Sequence, residues 1–471
     1  MGTGIAQVAA AAGHPVTILD QNADALLRGE AMLAEALETA VRKGRIDEAG
    51  RRAILDRIVW SSDLALAERK MLIIEAIVED LEEKRRLVAA IARVARADAI
   101  IATNTSSLGI DDIALLIGQR ERFLGLHFFN PVPAMKLVEI VAGEATAPEV
   151  IDEASRLMRL WGKEPVRVRD VPGFIVNRVA RPYYAEGFLA LGDKIGAAEV
   201  DAALTDTGGF RMGPLRLADL IGHDVNFAVA SSVFAADVGT SRFRPQEAQA
   251  ELVRAGRFGR KAGRGIYDYD AALPDAVYDG PGAPPKRLAF SDSGLLEPLV
   301  SAAIALGLDI SLDNALPKDA LEVGGTIVAL GDGRTLSQRT DADVLLDYAR
   351  DFATAGTLMI TVSDPAHAAR ARGLFTAIGK RSINIPDRPG QIVLRTLAQI
   401  ANAAADTVAD RIASDEDVDI ALRFGANHPE GPLGWARRVG IHRVRTALAN
   451  IAEATGDTLY APSRLFDLVE S

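Results

Sequence analysis

MGTGIAQVAAAAGHPVTILD (residues 1–20) contains a helical run from Gly4 to Ala12 that stops at Gly13, then a β-rich apolar run, Pro15 to Leu19, that ends on Asp20. Helix, strand and terminal acid together form the second part of a βαβ nucleotide-binding unit. In such a unit a first strand feeds a G-x-G-x-x-G turn, whose glycines let backbone N–H groups approach a pyrophosphate at a helix N-terminus. Gly2 stands where the last of those glycines belongs. About ten residues holding a first strand and the first two glycines are then expected upstream of Met1, the plain alternative being an ordinary frayed terminus. Asp20 is positioned to accept hydrogen bonds from a ribose diol and to repel a 2′-phosphate, which favours NAD over NADP. The opening therefore predicts an α/β, Rossmann-like N-terminal domain whose first strand is missing.

Outward from that stretch, composition narrows the classes. The 471 residues allow three or four domains, and 49% hydrophobic with 25% charged residues is the balance of a folded globular chain. A net charge of -11 argues against nucleic acid as a partner, so any anionic ligand must be held locally. With no cysteine the chain has no disulfide, thiolate metal site or cysteine nucleophile, which fits a cytoplasmic location. No uncharged apolar run is long enough for a membrane span, no processing pattern opens the chain, and no metal site is expected.

Five further segments stand in order: EAIVEDLEEK (75–84), ATNTSSLGI (102–110), GLHFFNPVPAMKLVEIV (125–141), DVPGFIVNR (170–178) and RFGRKAGRGIYDY (257–269). His127 lies in one β-like run and Glu139 in the next, with a Pro-rich turn between them. Two short strands joined this way bring an imidazole beside a carboxylate, a plausible general base; a buried core histidine is the plain alternative. Ser106 and Asn104 follow an apolar run at the carboxyl end of a predicted parallel strand, where ligands gather in open α/β sheets, although Ser and Asn also favour caps and turns. In order and spacing the five segments resemble the 3-hydroxyacyl-CoA dehydrogenase family over residues 1 to about 270.

That resemblance implies site roles. Residues matching His127 and Glu139 form the family's catalytic dyad, and those matching Ser106 and Asn177 hydrogen-bond the reacting oxygen or the imidazole. Gly2, Asp20, Glu79, Lys84 and Asn104 match cofactor-side positions, although Glu79 and Lys84 taken alone read as a charged helix start. Residues 24–60 read as two amphipathic helical patterns around Lys43-Gly44-Arg45, an insertion that in the family contacts CoA, which makes Lys43 a candidate phosphate contact or a solvated turn lysine. The Gly-rich basic stretch 256–265 reads as structural. The implied reaction is NAD-dependent oxidation of an (S)-3-hydroxyacyl-CoA to the 3-ketoacyl-CoA. A non-catalytic CoA- or nucleotide-binding relative and another β-hydroxyacid oxidoreductase are the alternatives.

A Pro/Gly/Ala-rich linker, 271–288, divides the chain, and beyond it lies an internal repeat. DRPGQIVLR (387–395) resembles DVPGFIVNR (170–178), and HPEGPLGWARRVGIH (428–442) resembles FRMGPLRLADLIGHD (210–224). Leu394 replaces Asn177 in the copy, and 289–384 alternates β-like and helical runs without a Gly-rich turn, with His367 at a helix start as a surface residue. The expected order is a Rossmann-like domain (1–168), an all-α domain (169–270), a reduced α/β domain (289–384) and a second all-α domain (385–471). The two all-α domains are expected to pack as an intrachain pseudo-dimer with the second half as scaffold, and a homo-oligomer is left open. This long arrangement is similar to that of family members from bacterial aromatic-acid (phenylacetate-type) catabolism, which act on 3-hydroxyadipyl-CoA and 3-hydroxybutyryl-CoA.

Overall fold

The computed structural model describes residues 1–236, 242–292 and 294–468, so residues 237–241 of the first all-α domain and 469–471 of the second lie outside the described residues. The chain opens with α1 (Gly2–Ala11), β1 (Val16–Leu19), α2 (Ala23–Arg42), α3 (Glu48–Leu55) and β2 (Ile58–Ser61). Gly13, at φ 97°, lets the chain turn out of α1 into β1. Asn22 caps α2 and Asp47 caps α3, each accepting a first-turn N–H. The expected helical pair 24–60 is therefore cut short: Ile58–Ser61 is a strand, parallel to β1, whose alternate residues Ile58 and Trp60 pack with the α2 and α3 core while Val59 between them is exposed.

Next come β3 (Leu72–Glu75), α4 (Leu81–Val94), β4 (Ile100–Thr103), α5 (Ile110–Ile113), β5 (Phe123–Phe128), β6 (Leu137–Ala142), α6 (Pro148–Leu160) and β7 (Glu164–Arg169). Strands β3 to β7 form one sheet in chain order, parallel except where β6 runs against β5. Its core joins Ile5 and Val8 of α1 to Leu124, Leu126 and Phe128 of β5 and to Val150, Ala154 and Met158 of α6.

Among the described residues no hydrogen bonds join β1 to β3. Between them lies a cavity of about 1060 Å³, lined by every residue from Pro15 to Asp20 and from Arg69 to Val78. Side chains of a strand alternate between faces, so an uninterrupted run of lining residues means that the backbone edges themselves face the cavity.

After β7 come α7 (Val176–Val179), α8 (Arg181–Gly192), α9 (Ala197–Ala202), α10 (Pro214–Ile221), α11 (His223–Ala236) and α12 (Glu247–Arg254). Residues 272–285 carry no helix or strand, but the Asp279 N–H donates to Ser382 O at 2.8 Å, so the linker is stitched to the reduced α/β domain. Then come β8 (Arg287–Phe290), α13 (Glu297–Ala305), β9 (Asp309–Leu312), β10 (Ala320–Val323), β11 (Thr326–Leu330), β12 (Val344–Leu346), β13 (Thr357–Val362), α14 (Pro365–Ala377) and β14 (Arg381–Asn384). These strands form a mixed sheet in the order β14-β13-β12-β11-β10-β8-β9, over a core that includes Leu299, Leu346 and Phe375. His367 is half-buried, with Nδ1 at 2.8 Å from Thr326 Oγ1, rather than the surface residue expected from its helix-start position. The chain closes with α15 (Val393–Ala409), α16 (Asp415–Gly425), α17 (Pro432–Val439) and α18 (Ile441–Thr455).

Backbone conformation repeats where the sequence repeats. Gly173 and Gly390 have φ 79° and 72°, Phe174 and Gln391 have 46° and 52°, and Gly222 and Gly440 have 101° and 103°. Two compact units result, 1–176 with 410–426 and 177–409 with the remainder from Asn427. Helix α16, from the second repeat, thus belongs to the first unit and lies against β6 and β7, where the Arg169 N–H donates to Ile412 O at 3.0 Å. Within the second unit α8 packs on α15.

Candidate active site

His127 and Glu139 are direct cross-strand partners on β5 and β6. The sequence of each strand explains the pairing: apolar residues flank both polar side chains, so the strands are buried on both faces and bring the two groups together inside the sheet. His127 Nδ1 stands 2.6 Å from Glu139 Oε2, with the imidazole side chain 8% exposed and the carboxylate wholly buried. The other carboxylate oxygen, Oε1, accepts the N–H groups of Ile175 and Val176, each at 2.9 Å. A carboxylate on Nδ1 fixes the proton there and leaves the lone pair on Nε2, the tautomer a proton acceptor requires. Phe129 and Phe174 flank the ring, with centroids 4.4 and 5.7 Å from it.

Ser106 lies in the loop after β4, the strand beside β5. Its N–H donates to Glu79 Oε1 at 2.8 Å, and the same oxygen takes the Thr105 hydroxyl at 2.7 Å and the Ser107 N–H at 3.1 Å. Burial acts to raise the Glu79 carboxyl, but these bonds and the Lys84 ammonium outweigh it and hold the group below the ordinary carboxylate range. Asn104 turns its Oδ1 to the Phe128 N–H at 2.8 Å, tying this loop to the residue after His127. Asn177 follows Val176 in the chain and is the first residue of the second unit.

Lys84 differs from expectation. It is not the surface charge that its helix start alone suggests: its side chain is 1% exposed, with Nζ 2.8 Å from Glu75 Oε1 and 3.4 Å from Glu79 Oε2. Glu75, which sequence reasoning missed, also accepts the Thr103 hydroxyl at 2.6 Å and the Ile77 N–H at 2.6 Å. The available signal was an acid closing the apolar run MLIIE nine residues before a lysine on the next helix. Lys163 was missed too. Its buried ammonium donates to Val132 O at 2.5 Å and Met135 O at 2.7 Å, clasping the turn between the two dyad strands, and burial lowers its pKa to about 8.

At the rim of the cavity between β1 and β3, Gly2 begins α1, whose N-cap Met1 offers no side-chain cap, so its first-turn N–H groups lack an intrahelical partner. A Cβ on Gly4 would come within 3.1 Å of Val132, so a small residue there lets this helix approach the turn between β5 and β6, whereas one on Gly2 would make only ordinary contact with Ala76 at 3.9 Å. Exposed Asp20 lines the same cavity and accepts the Asn22 N–H through Oδ1 at 2.9 Å, leaving Oδ2 unengaged by that bond. N–H donors on one side and a carboxylate on the other fit the pyrophosphate and ribose of a dinucleotide. Lys43 is exposed at the end of α2, without an ion-pair partner among the described residues. The stretch 256–265 is structural: the buried Asp219 carboxylate accepts the Ile266 and Tyr267 N–H groups at 2.9 and 3.0 Å, and a Cβ on Gly259 or Gly265 would overlap Asp219. Among the described residues no helix is long and apolar enough to cross a membrane, and no group of three acidic or histidine side chains could hold a metal ion.

Three family descriptions match the chain: the 3-hydroxyacyl-CoA dehydrogenase NAD binding domain over 1–171, the C-terminal domain of the same family over 173–269 and again over 390–470, and the 3-hydroxybutyryl-CoA dehydrogenase reduced Rossmann-fold domain over 328–389. The chain is 39% identical to 3-hydroxyadipyl-CoA dehydrogenase of Escherichia coli (strain K12), over 99% of this chain and 94% of that protein. It is 38% identical to the mitochondrial hydroxyacyl-coenzyme A dehydrogenase of Sus scrofa, over 57% of this chain and 88% of the relative. The crystal structure of 3-hydroxybutyryl-CoA dehydrogenase from E. coli K12 superposes with a TM-score of 0.90 at 37% identity, covering 100% of this chain and 96% of that one.

Proposed function

The chain belongs to the 3-hydroxyacyl-CoA dehydrogenase family, and on that premise we propose that it oxidises an (S)-3-hydroxyacyl-CoA to the 3-ketoacyl-CoA with His127 as the proton acceptor. The observation that carries this is the 2.6 Å contact of His127 Nδ1 with Glu139 Oε2, which presents Nε2 as the base. NAD, when bound, supplies the ring that accepts the hydride from the carbinol carbon. Nε2 of His127 takes the hydroxyl proton while Glu139 holds the imidazolium charge. Ser106, steered by Glu79, and Asn177 fix the alcohol oxygen. Glu79, Lys84 and Asn104 form the cofactor side of the site, Lys84 held by Glu75 and Glu79 and Asn104 by the loop it anchors. Gly2 and Asp20 hold the cofactor's pyrophosphate and ribose, and Lys43 meets a CoA phosphate.

The names of relatives support a substrate such as 3-hydroxyadipyl-CoA or 3-hydroxybutyryl-CoA, with a place in aromatic-acid catabolism and a cytoplasmic location as parts of the same proposal. The packing of α8 on α15 supports a pseudo-dimer of the two all-α domains within one chain. The cavity between the edges of β1 and β3 supports a berth for one more parallel strand.

The test is acetoacetyl-CoA-dependent NADH oxidation set against free acetoacetate, with His127→Gln beside the unsubstituted protein. Loss of a positioned base costs about 10² to 10⁴ in rate, so the variant is expected to lose kcat by that factor and to keep NADH binding. Undiminished turnover in His127→Gln, or equal turnover of free acetoacetate, overturns the proposal.

A further inference from the structure

Gly425 is the last residue of α16, and its φ lies outside the left-handed region, so the backbone does not require a glycine there. Space requires it. A Cβ at this position would overlap Leu137 Cδ2, come within 2.8 Å of Val176 Cγ2 and stand 3.6 Å from Phe129 Cζ. Each of these three residues is tied to the dyad. Leu137 precedes Glu139 by two residues on β6 and so shares its face of the sheet. Val176 gives its N–H to Glu139 Oε1 at 2.9 Å, and the Phe129 ring packs 4.4 Å from the His127 ring.

The duplication supplies an internal comparison. Aligning the two Gly-Pro pairs, Gly213-Pro214 and Gly431-Pro432, sets Thr207 against Gly425. Aligning the strand pairs β5/β6 and β12/β13 by register, with Leu126 opposite Ile140 and Leu346 opposite Ile360, sets Thr357 against Leu137. The same register puts Asp347 at the His127 position and Met359 at the Glu139 position, so the second pair has no dyad. There the equivalent contact does hold a side chain: the Thr207 hydroxyl donates to Thr357 O at 2.8 Å. Side-chain bulk is present where nothing catalytic lies behind it and absent where the dyad does.

Resting on the proposed role of His127, we infer that α16 is a positioning element for the reaction, with Gly425 as the residue through which the second repeat sets the seat of the His127–Glu139 pair. The second repeat is then more than a scaffold. It closes the dyad's strand pair from behind, and the geometry of the base depends on that closure.

The experiment substitutes Gly425→Thr, the residue of the other repeat, and Gly425→Ala as a milder variant that keeps the test open if the first does not fold. Displacement of a catalytic group by about 1 Å costs on the order of 10²-fold. The expected result is a kcat loss of about 10- to 100-fold for Gly425→Thr and a smaller loss for Gly425→Ala, with NADH affinity and the acyl-CoA KM within about threefold. The pH profile of kcat/KM is expected to shift, because the Glu139 contact that sets the base moves. Adding Leu137→Ala, which vacates the overlapped space, is expected to recover most of the loss, and Thr207→Val in the mirror contact to leave kcat within about twofold. Folded Gly425 variants with unaltered kcat and pH profile overturn the inference, as does a loss that Leu137→Ala leaves in place. Failure here alongside an inactive His127→Gln leaves the base assignment standing. An active His127→Gln removes both.

Discussion

Glu139 uses each oxygen for a different purpose, and the duplicated half separates the two. Oε2 orients His127, while Oε1 caps the start of α7 through Ile175 and Val176. In the copy, Asp347 caps the start of α15, with Oδ2 accepting the Ile392 and Val393 N–H groups at 2.9 and 2.7 Å, and no imidazole is present at either position of the pair. Helix capping is thus the constraint on a carboxylate that both repeats share, and catalysis uses the second oxygen of one of them. Glu139→Gln must present an NH₂ either to Nδ1–H or to the two backbone donors. A kcat loss of about 10²-fold or more is therefore expected, with a stability loss of about 1–3 kcal/mol in urea titration, and a variant with unaltered kcat excludes the orienting role. His428 offers a separate test through pH. It packs edge-on against Phe210, with ring centroids 5.0 Å apart, and burial lowers its pKa to about 3. The unfolded chain binds this proton near pH 6.5 and the folded chain does not, so the group's contribution is complete above 6.5 and falls with pH by about 1.4 kcal/mol per unit toward 3. Asp347 acts in the opposite sense, since burial pushes its carboxyl up to about 6 and folding then takes up a proton between 6 and its ordinary value. The comparison of wild type with His428→Phe removes that background: the difference in unfolding free energy between pH 7 and pH 4.5 is expected to shrink in the variant, and parallel curves would refute a neutral buried imidazole.

At the scale of elements, α1 and β1 were legible because one small-residue helical run and one β-branched run are separated by Gly13. The dyad strands were legible because each polar residue interrupts an apolar run, with a Pro-rich turn to bring them together. Strand β2 was not legible: Ile58–Ser61 comes directly after α3, and its Ile-Val-Trp run also fits a helical period. Nor was the destination of α16, since an amphipathic helix does not say which domain takes its apolar face. Lys84 taken alone read as part of a charged helix start and Lys163 went unnoticed, because burial of an ammonium depends on acceptors that the folded chain supplies, Glu75 in one case and the Val132 and Met135 carbonyls in the other. The cavity beside β1 and β3 gives the prediction at this scale. Both edges run parallel to their neighbours, so a single parallel strand between them would join the two-stranded and five-stranded sheets into one. Fusing an apolar strand and a G-x-G turn ahead of Gly2 is expected to raise the Tm and to enlarge the further rise on adding NADH. An extended chain with no gain in either measurement would show that the cavity does not receive a strand.

The second unit as a whole depends on how two helical repeats recognise each other. Their contact is not purely apolar: Glu186 of α8 is buried, accepts the Tyr460 hydroxyl at 2.7 Å and stands 2.8 Å from Arg395 Nε in an ion pair, both partners coming from the second repeat. Arg388 lies 3.8 Å from the same carboxylate and bonds Asp193 at the end of α8 at 2.8 Å. One buried acid thus faces two buried guanidinium groups across the repeat boundary, with exposed Asp193 as the second partner of Arg388. A buried ion pair adds little net stability over a well-packed apolar contact, because desolvation offsets its Coulomb energy, but removing one partner leaves the other charged and unsolvated. Glu186→Ala is therefore expected to cost about 3–5 kcal/mol in urea-induced unfolding. Replacing acid and base together, Glu186→Gln with Arg395→Met, is expected to cost well under the sum of the single changes, because neither uncompensated charge remains. The cycle separates two views of the duplication. If the halves pair by apolar burial alone, the single substitutions will be mild and additive. If the charged cluster sets the register in which α8 meets α15, each single change will be severe, and the pair will couple by more than about 1 kcal/mol.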